Sequence, residues 1–148
     1  MSFEIFLGAF NDGDIGYVPL SLIVESFGTA VVDDGQTSNE CCVLLEYQDE
    51  YAITGKSNIR IDITPTVIDN AVMTEGFCVN NPPDNAEFWQ SLCTILTLSS
   101  SALYWPGEGI AIGNAETARH LPDDMIETLG SPTVVANETD ILNLMRNS

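Results

Sequence analysis

The sequence predicts an α+β domain, a largely antiparallel sheet with about four helices packed on it. Four observations carry that expectation. Strand candidates in the middle of the chain succeed one another through short turns, as hairpins do. Asn58–Thr64 alternates so that Ile59, Ile61 and Ile63 share one face. A broad apolar stripe of Phe88, Trp89, Leu92, Cys93, Ile95 and Leu96 has helical spacing after Pro82-Pro83. The elements do not repeat as strand-helix units, which argues against a parallel sheet.

Taken in order, Phe3–Phe10 reads as a strand and Asn11–Asp14 as a turn. Pro19 suits the first turn of a helix whose apolar face is Leu20, Ile23, Val24 and Phe27, with Gly28 just past its end. Thr29–Val32 reads as a short strand closed by Asp33-Asp34-Gly35, and Cys41–Tyr47 as a buried strand. Gln48-Asp49-Glu50 reads as a bend returning through Tyr51–Ile53, and Ala71–Val79 as a further strand. Asp84 and Glu87 have capping-box spacing ahead of the apolar stripe. Ala102–Trp105 and Gly109–Ile112 are short strands around Pro106-Gly107-Glu108. Pro122-Asp123-Asp124 opens a helix ending at Gly130, with acids in its first turn where the helix dipole favours them. Thr133–Ala136 reads as a strand, and Asn137 caps a last helix through Arg146. With no repeat or linker, the chain is expected to form a single domain over residues 1–148.

The charge balance is the outlying feature. Twenty-two Asp and Glu face only Lys56, Arg60, Arg119 and Arg146, for a formal net charge of −18. The first 55 residues hold ten acids and no Lys or Arg, so local pairing cannot neutralise them. Such a surface repels nucleic acid and anionic membrane and attracts cationic proteins. It also keeps a protein dispersed, and halophilic adaptation is a further source of acidity. At 45% hydrophobic residues, the chain has the material for a core and is not a disordered acidic tail.

The start of the chain lacks the basic segment and the apolar run of a signal peptide, and no segment is apolar enough to span a bilayer. The expected location is cytoplasmic, with Cys41, Cys42, Cys78 and Cys93 as reduced thiols. Catalytic signatures are missing. Any nucleophile–histidine arrangement must use His120, whose place beside a helix start suits a solvated or capping role. Asp12-Gly13-Asp14 fails as a calcium loop, because Gly16 and Ile23 stand where ligands are needed. Gly107–Gly113 resembles a dinucleotide loop, but its last glycine is displaced by one and it enters a strand. Four dispersed cysteines and one histidine give poor zinc spacing. No catalytic residue, metal or cofactor is expected. Of Tyr104 and Trp105, strand spacing places one in the core and leaves the other for an exposed contact.

In size, acidity and lack of a catalytic constellation, the whole chain resembles the small immunity proteins that bacteria use against toxic effectors. The resemblance implies a cytoplasmic inhibitor that binds a basic toxin or effector through an acidic surface and occludes its active site or the surface around it, with carboxylates where phosphates would sit. The candidate contact residues are Asp12, Asp14, Asp33, Asp34, Glu40, Asp49 and Glu50, in turns of the lysine-free first segment. The alternatives are a small enzyme or ligand-binding domain whose pocket the sequence does not display, and a structural adaptor subunit.

Overall fold

The computed structural model describes residues 4–33, 42–48, 56–83, 85–105 and 109–146. Ten strands are described: β1 (Glu4–Asn11), β2 (Asp14–Ile15), β3 (Val18–Pro19), β4 (Val31–Asp33), β5 (Cys42–Gln48), β6 (Lys56–Ile68), β7 (Ala71–Asn80), β8 (Ser101–Tyr104), β9 (Ile110–Ile112) and β10 (Thr133–Val134). Four α-helices accompany them: α1 (Leu20–Phe27), α2 (Ala86–Leu98), α3 (Asp123–Leu129) and α4 (Glu138–Arg146). The fold is therefore mixed, with a large, mostly antiparallel sheet and four helices. The main path of the sheet runs β10-β9-β8-β1-β7-β6-β5-β4; β2 pairs with β1, and β3 with β7. Every described pairing is antiparallel except β10 with β9.

Strand alternation divides the sheet into two unlike faces. On the first, Ile5, Leu7 and Ala9 of β1, Ile59, Ile61 and Ile63 of β6, Phe77 and Val79 of β7, and Leu103 of β8 join one buried core. Helices α1, α2 and α4 close over it, and the six stripe residues of α2 are all buried. Phe88 sits at its aromatic centre, with Phe27 stacked at 6.0 Å and Tyr47 and Trp89 edge-on at 5.9 and 5.2 Å. On the second face, a smaller core of Ala102, Ile110, Ile112 and Leu121 is covered by Met125, Ile126 and Leu129 of α3. Further along this face, Arg60 and Asp62 are exposed and pair at 3.0 Å.

Local rules explain the element ends. Asn85 caps α2, its side chain accepting from the Glu87 and Phe88 amides at 2.9 and 3.4 Å. The cap is thus one residue later than the Asp84 spacing predicts, and Asp84 itself lies outside the described residues. At α4, Asn137 accepts from the Asp140 amide at 3.0 Å and Asp140 accepts from the Ala136 amide at 2.9 Å, so both side chains satisfy amides of the helix entrance. Gly28 and Gly130 end α1 and α3 with φ of 58° and 93°, where L side chains are disfavoured. Pro19 stands immediately before α1 and not inside its first turn. A short 3-10 turn at Gly28–Ala30 takes up the start of the segment read as the Thr29–Val32 strand, and β4 begins only at Val31.

A β-bulge interrupts the β6–β7 ladder between the pairs Ile63–Phe77 and Pro65–Thr74. Gly76 occupies it with φ of 146°. A β-carbon there would collide with the Leu7 carbonyl oxygen of β1. The Thr74 hydroxyl accepts from the Gly76 amide and donates to the Gly76 carbonyl, which satisfies the irregular backbone locally. Among the described residues, no helix is long and apolar enough to cross a membrane.

Candidate functional site

The acidic turn read from the sequence is a two-residue connection in a hairpin. Asn11 pairs with Asp14 and Phe10 with Ile15, leaving Asp12 and Gly13 as the connecting residues, with φ of 50° and 86°. Positive φ at both is the primed turn whose twist suits a tight hairpin, and Asp and Gly are the residue types that tolerate it.

His120 fastens this turn. It ends a six-residue 3-10 segment, Ala115–His120, that starts at the Asn114 side chain. The Asp12 amide donates to His120 Nδ1 at 3.1 Å, and the Gly13 amide donates to the His120 carbonyl at 2.9 Å. Nδ1 is the acceptor in this contact. The Asp12 carboxylate lies 3.5 Å from the same nitrogen, a contact that becomes an ion pair only on protonation. The His120 side chain is only 16% exposed, against 85% for Asp12, so the turn is held from behind while its carboxylate stays in water. His120 thus acts as a clamp on the hairpin, which is neither the helix-capping nor the solvated role that its place beside a helix start suggests.

Beside this turn opens a cleft of about 570 Å³. The β1–β2 hairpin forms one wall through Phe10 and Ile15, α1 supplies Leu22 and Glu25, and the end of α2 supplies Leu98. Three large apolar side chains on its lining are exposed. Ile15, Tyr17 and Leu98 are 59%, 44% and 62% exposed, and they are three of the seven large exposed hydrophobics among the described residues. Glu25 is the charged residue of the lining, and no Lys or Arg lines it.

The candidate residues do not fall into one constellation. Asp12 and Asp14 are exposed and belong to the turn beside the cleft. Asp33 ends β4 at the far edge of the sheet, where the described strand order places it seven positions from β10. Asp34, Glu40, Asp49 and Glu50 lie outside the described residues. Ile15, Tyr17 and Leu98 were not singled out by sequence reasoning. Leu98 falls outside the apolar stripe of α2 by helical spacing and is exposed. Trp105 is buried and Tyr104 half-buried, as strand spacing anticipates, while the turn at 106–108 is outside the described residues. Among the described residues, no group of three or more His, Cys, Asp or Glu side chains could hold a metal ion.

No protein-family model, no curated protein and no solved structure matches this chain.

Proposed function

We propose that this protein is an inhibitor of the immunity type, which binds a basic protein through the acidic hairpin turn and the cleft beside it. The observation that carries the reading is the juxtaposition at the β1–β2 hairpin. Exposed carboxylates at Asp12 and Asp14 adjoin the exposed apolar side chains of Ile15, Tyr17 and Leu98. The two parts have separate jobs in association. Exposed charge in a −18 protein draws a cationic partner in and sets its orientation, whereas burial of the apolar rim holds it. A turn whose backbone is already held by His120 loses little freedom on binding, which favours affinity.

The test is association kinetics against the partner recovered by affinity capture, at several ionic strengths. Asp12→Asn with Asp14→Asn keeps residue types that tolerate the turn, and should lower the on-rate at low salt by several-fold and much less at high salt. Leu98→Ala should instead raise the off-rate, by roughly ten-fold if the side chain is an anchor. Salt-independent association that none of these changes alters would overturn the reading.

A further inference from the structure

The chain holds one histidine, and the structure sets it on a contact that a proton would break. Histidine is the side chain whose charge ordinarily changes between about pH 5 and 8. His120 offers Nδ1 to the backbone amide of Asp12 at 3.1 Å, and the Asp12 carboxylate lies 3.5 Å from the same nitrogen. One ring atom therefore faces two groups with opposite demands. The amide needs a lone pair on Nδ1, and the carboxylate needs a proton there. Beside them the Gly13 amide donates to the His120 carbonyl at 2.9 Å, a bond that involves no ring atom. The charged groups on the elements around the ring are Asp12 and Asp14 of the hairpin, Glu116 and Arg119 of its own 3-10 segment, and Asp123 and Asp124 at the start of α3. Arg119 pairs with Glu116 at 3.2 Å, and Asp12 is the carboxylate in contact with Nδ1.

We propose that His120 is a proton-operated latch on the β1–β2 turn, which holds the Asp12 backbone when neutral and the Asp12 carboxylate when protonated. A neutral imidazole has one acceptor nitrogen, whereas both nitrogens of an imidazolium donate. A proton taken from water onto Nδ1 therefore sets N–H against N–H and breaks the bond to the Asp12 amide. The carboxylate is already at 3.5 Å and is 85% exposed, so it has room to turn onto the new donor. The Asp12 amide, in an exposed turn, passes to water. Gly13 keeps its bond to the His120 carbonyl, so the turn stays docked while one of its two carboxylates enters an ion pair. Where the partner is basic, the exchange also removes one of the two hairpin charges that draw it in, and association slows as pH falls. That consequence rests on the inhibitor reading; the latch itself does not.

The test is a titration of isotope-labelled full-length protein from about pH 8 to about pH 5.5, a range above the ordinary carboxylate values. It is followed at the His120 ring, at the Asp12 and Gly13 amides and at the Asp12 carboxyl carbon. The Asp12 amide proton and carboxyl carbon are expected to move with the midpoint of the ring, and the Gly13 amide several-fold less. Solvent exchange of the Asp12 amide, corrected for its intrinsic pH dependence, should speed by roughly 2- to 12-fold on ring protonation, the weight of one ordinary hydrogen bond. His120→Asn supplies an acceptor oxygen that takes no proton in this range, and should abolish the Asp12 response. Asp12→Asn keeps the backbone donor and tolerates the turn, so the amide at this position should still follow the ring. A ring that stays neutral throughout would overturn the latch. So would a ring that titrates while the Asp12 amide and carboxyl carbon stay flat, or an Asp12 response that survives His120→Asn. The wild-type titration decides the matter even where the His120 variant fails to fold. It needs no partner protein, so its failure leaves the kinetic test of the inhibitor reading intact, and the reverse also holds.

Discussion

The two faces of the sheet are made from the same strands, yet they differ in almost everything else. Residues 59, 61 and 63 of β6 point into the core under α1 and α2, while Arg60 and Asp62 between them sit in water. Likewise Ile5 and Leu7 of β1 are buried on one face, and Phe6 between them is half-buried on the other. The covered face spends its apolar surface on stability. The second face is covered at the β8–β9 end by α3, and beyond it keeps aromatic rings and bare glycine backbone within reach of solvent. The contrast teaches that alternate positions along one strand can serve separate ends: one set holds the fold, and the other is left facing solvent.

The contrast is sharpest at neighbouring residues, where the largest effect is expected. Ile61→Ala empties a fully buried position between Val43 and Val79 and should cost about 2–5 kcal/mol. Asp62→Ala, one residue on, loses an exposed pair with Arg60 and should cost no more than about 1 kcal/mol. Denaturant unfolding of both variants measures the difference, and equal costs would break the two-face picture.

Gly76 belongs to both faces, because its bulge re-registers β7 against β6 while its backbone lies against β1. Gly76→Ala meets both a strained φ and the Leu7 carbonyl, and a loss of roughly 1–3 kcal/mol is expected in the same measurement. Gly13→Ala in the hairpin turn shares a positive φ but meets nothing within 4 Å, so it should be milder.

A smaller, pH-dependent effect separates the two described free thiols. Burial, aided by the Glu138 and Asp140 carboxylates, pushes Cys93 on α2 up from its ordinary value near 9 to about 11. Burial also raises Cys78, which lies on the second face and is half-buried, with Glu4 and Asp62 acting the same way. Peptide mapping after alkylation of the native protein should find Cys78 modified before Cys93. The sign for stability follows from which state keeps its proton. Between about pH 9 and 11 native Cys93 holds a proton that the unfolded chain has released. Its contribution is therefore complete below about pH 9 and is lost as pH rises to about 11. Tyr47, raised to about 12 by burial and by the Glu87 carboxylate, adds a loss of the same sign from about pH 10 upward. Stability that rises across this alkaline range would contradict the burial of both groups.

Much of this architecture is written locally. The period-two pattern of Ile59, Ile61 and Ile63 gives a strand and its buried face, because successive side chains of an extended chain must alternate. The 3.6-residue pattern of Phe88 to Leu96 gives α2 and the side it buries. Turn chemistry at Asp12-Gly13 and the helix stops at Gly28 and Gly130 are equally local, since they depend on which residues accept positive φ. The cap of α2 shows the limit. Asp84 and Asn85 are both competent caps, and which one the helix uses depends on where the preceding chain enters, a tertiary matter.

What the sequence determined by itself was the α+β class, the order of the longer strands and of the helices, the buried face of the main strands and the excess of negative charge. The tertiary structure alone decided that β1 lies between β7 and β8, so that Gly8 meets Gly76 and Phe6 meets Tyr104 although each pair lies far apart in sequence. It alone brought His120 behind Asp12 and Leu98 beside Ile15 and Tyr17. The reason is physical: backbone preferences and hydrophobic periods act within a few residues, whereas strand pairing and pockets arise from segments that share no local signal and meet only when the chain closes on its core.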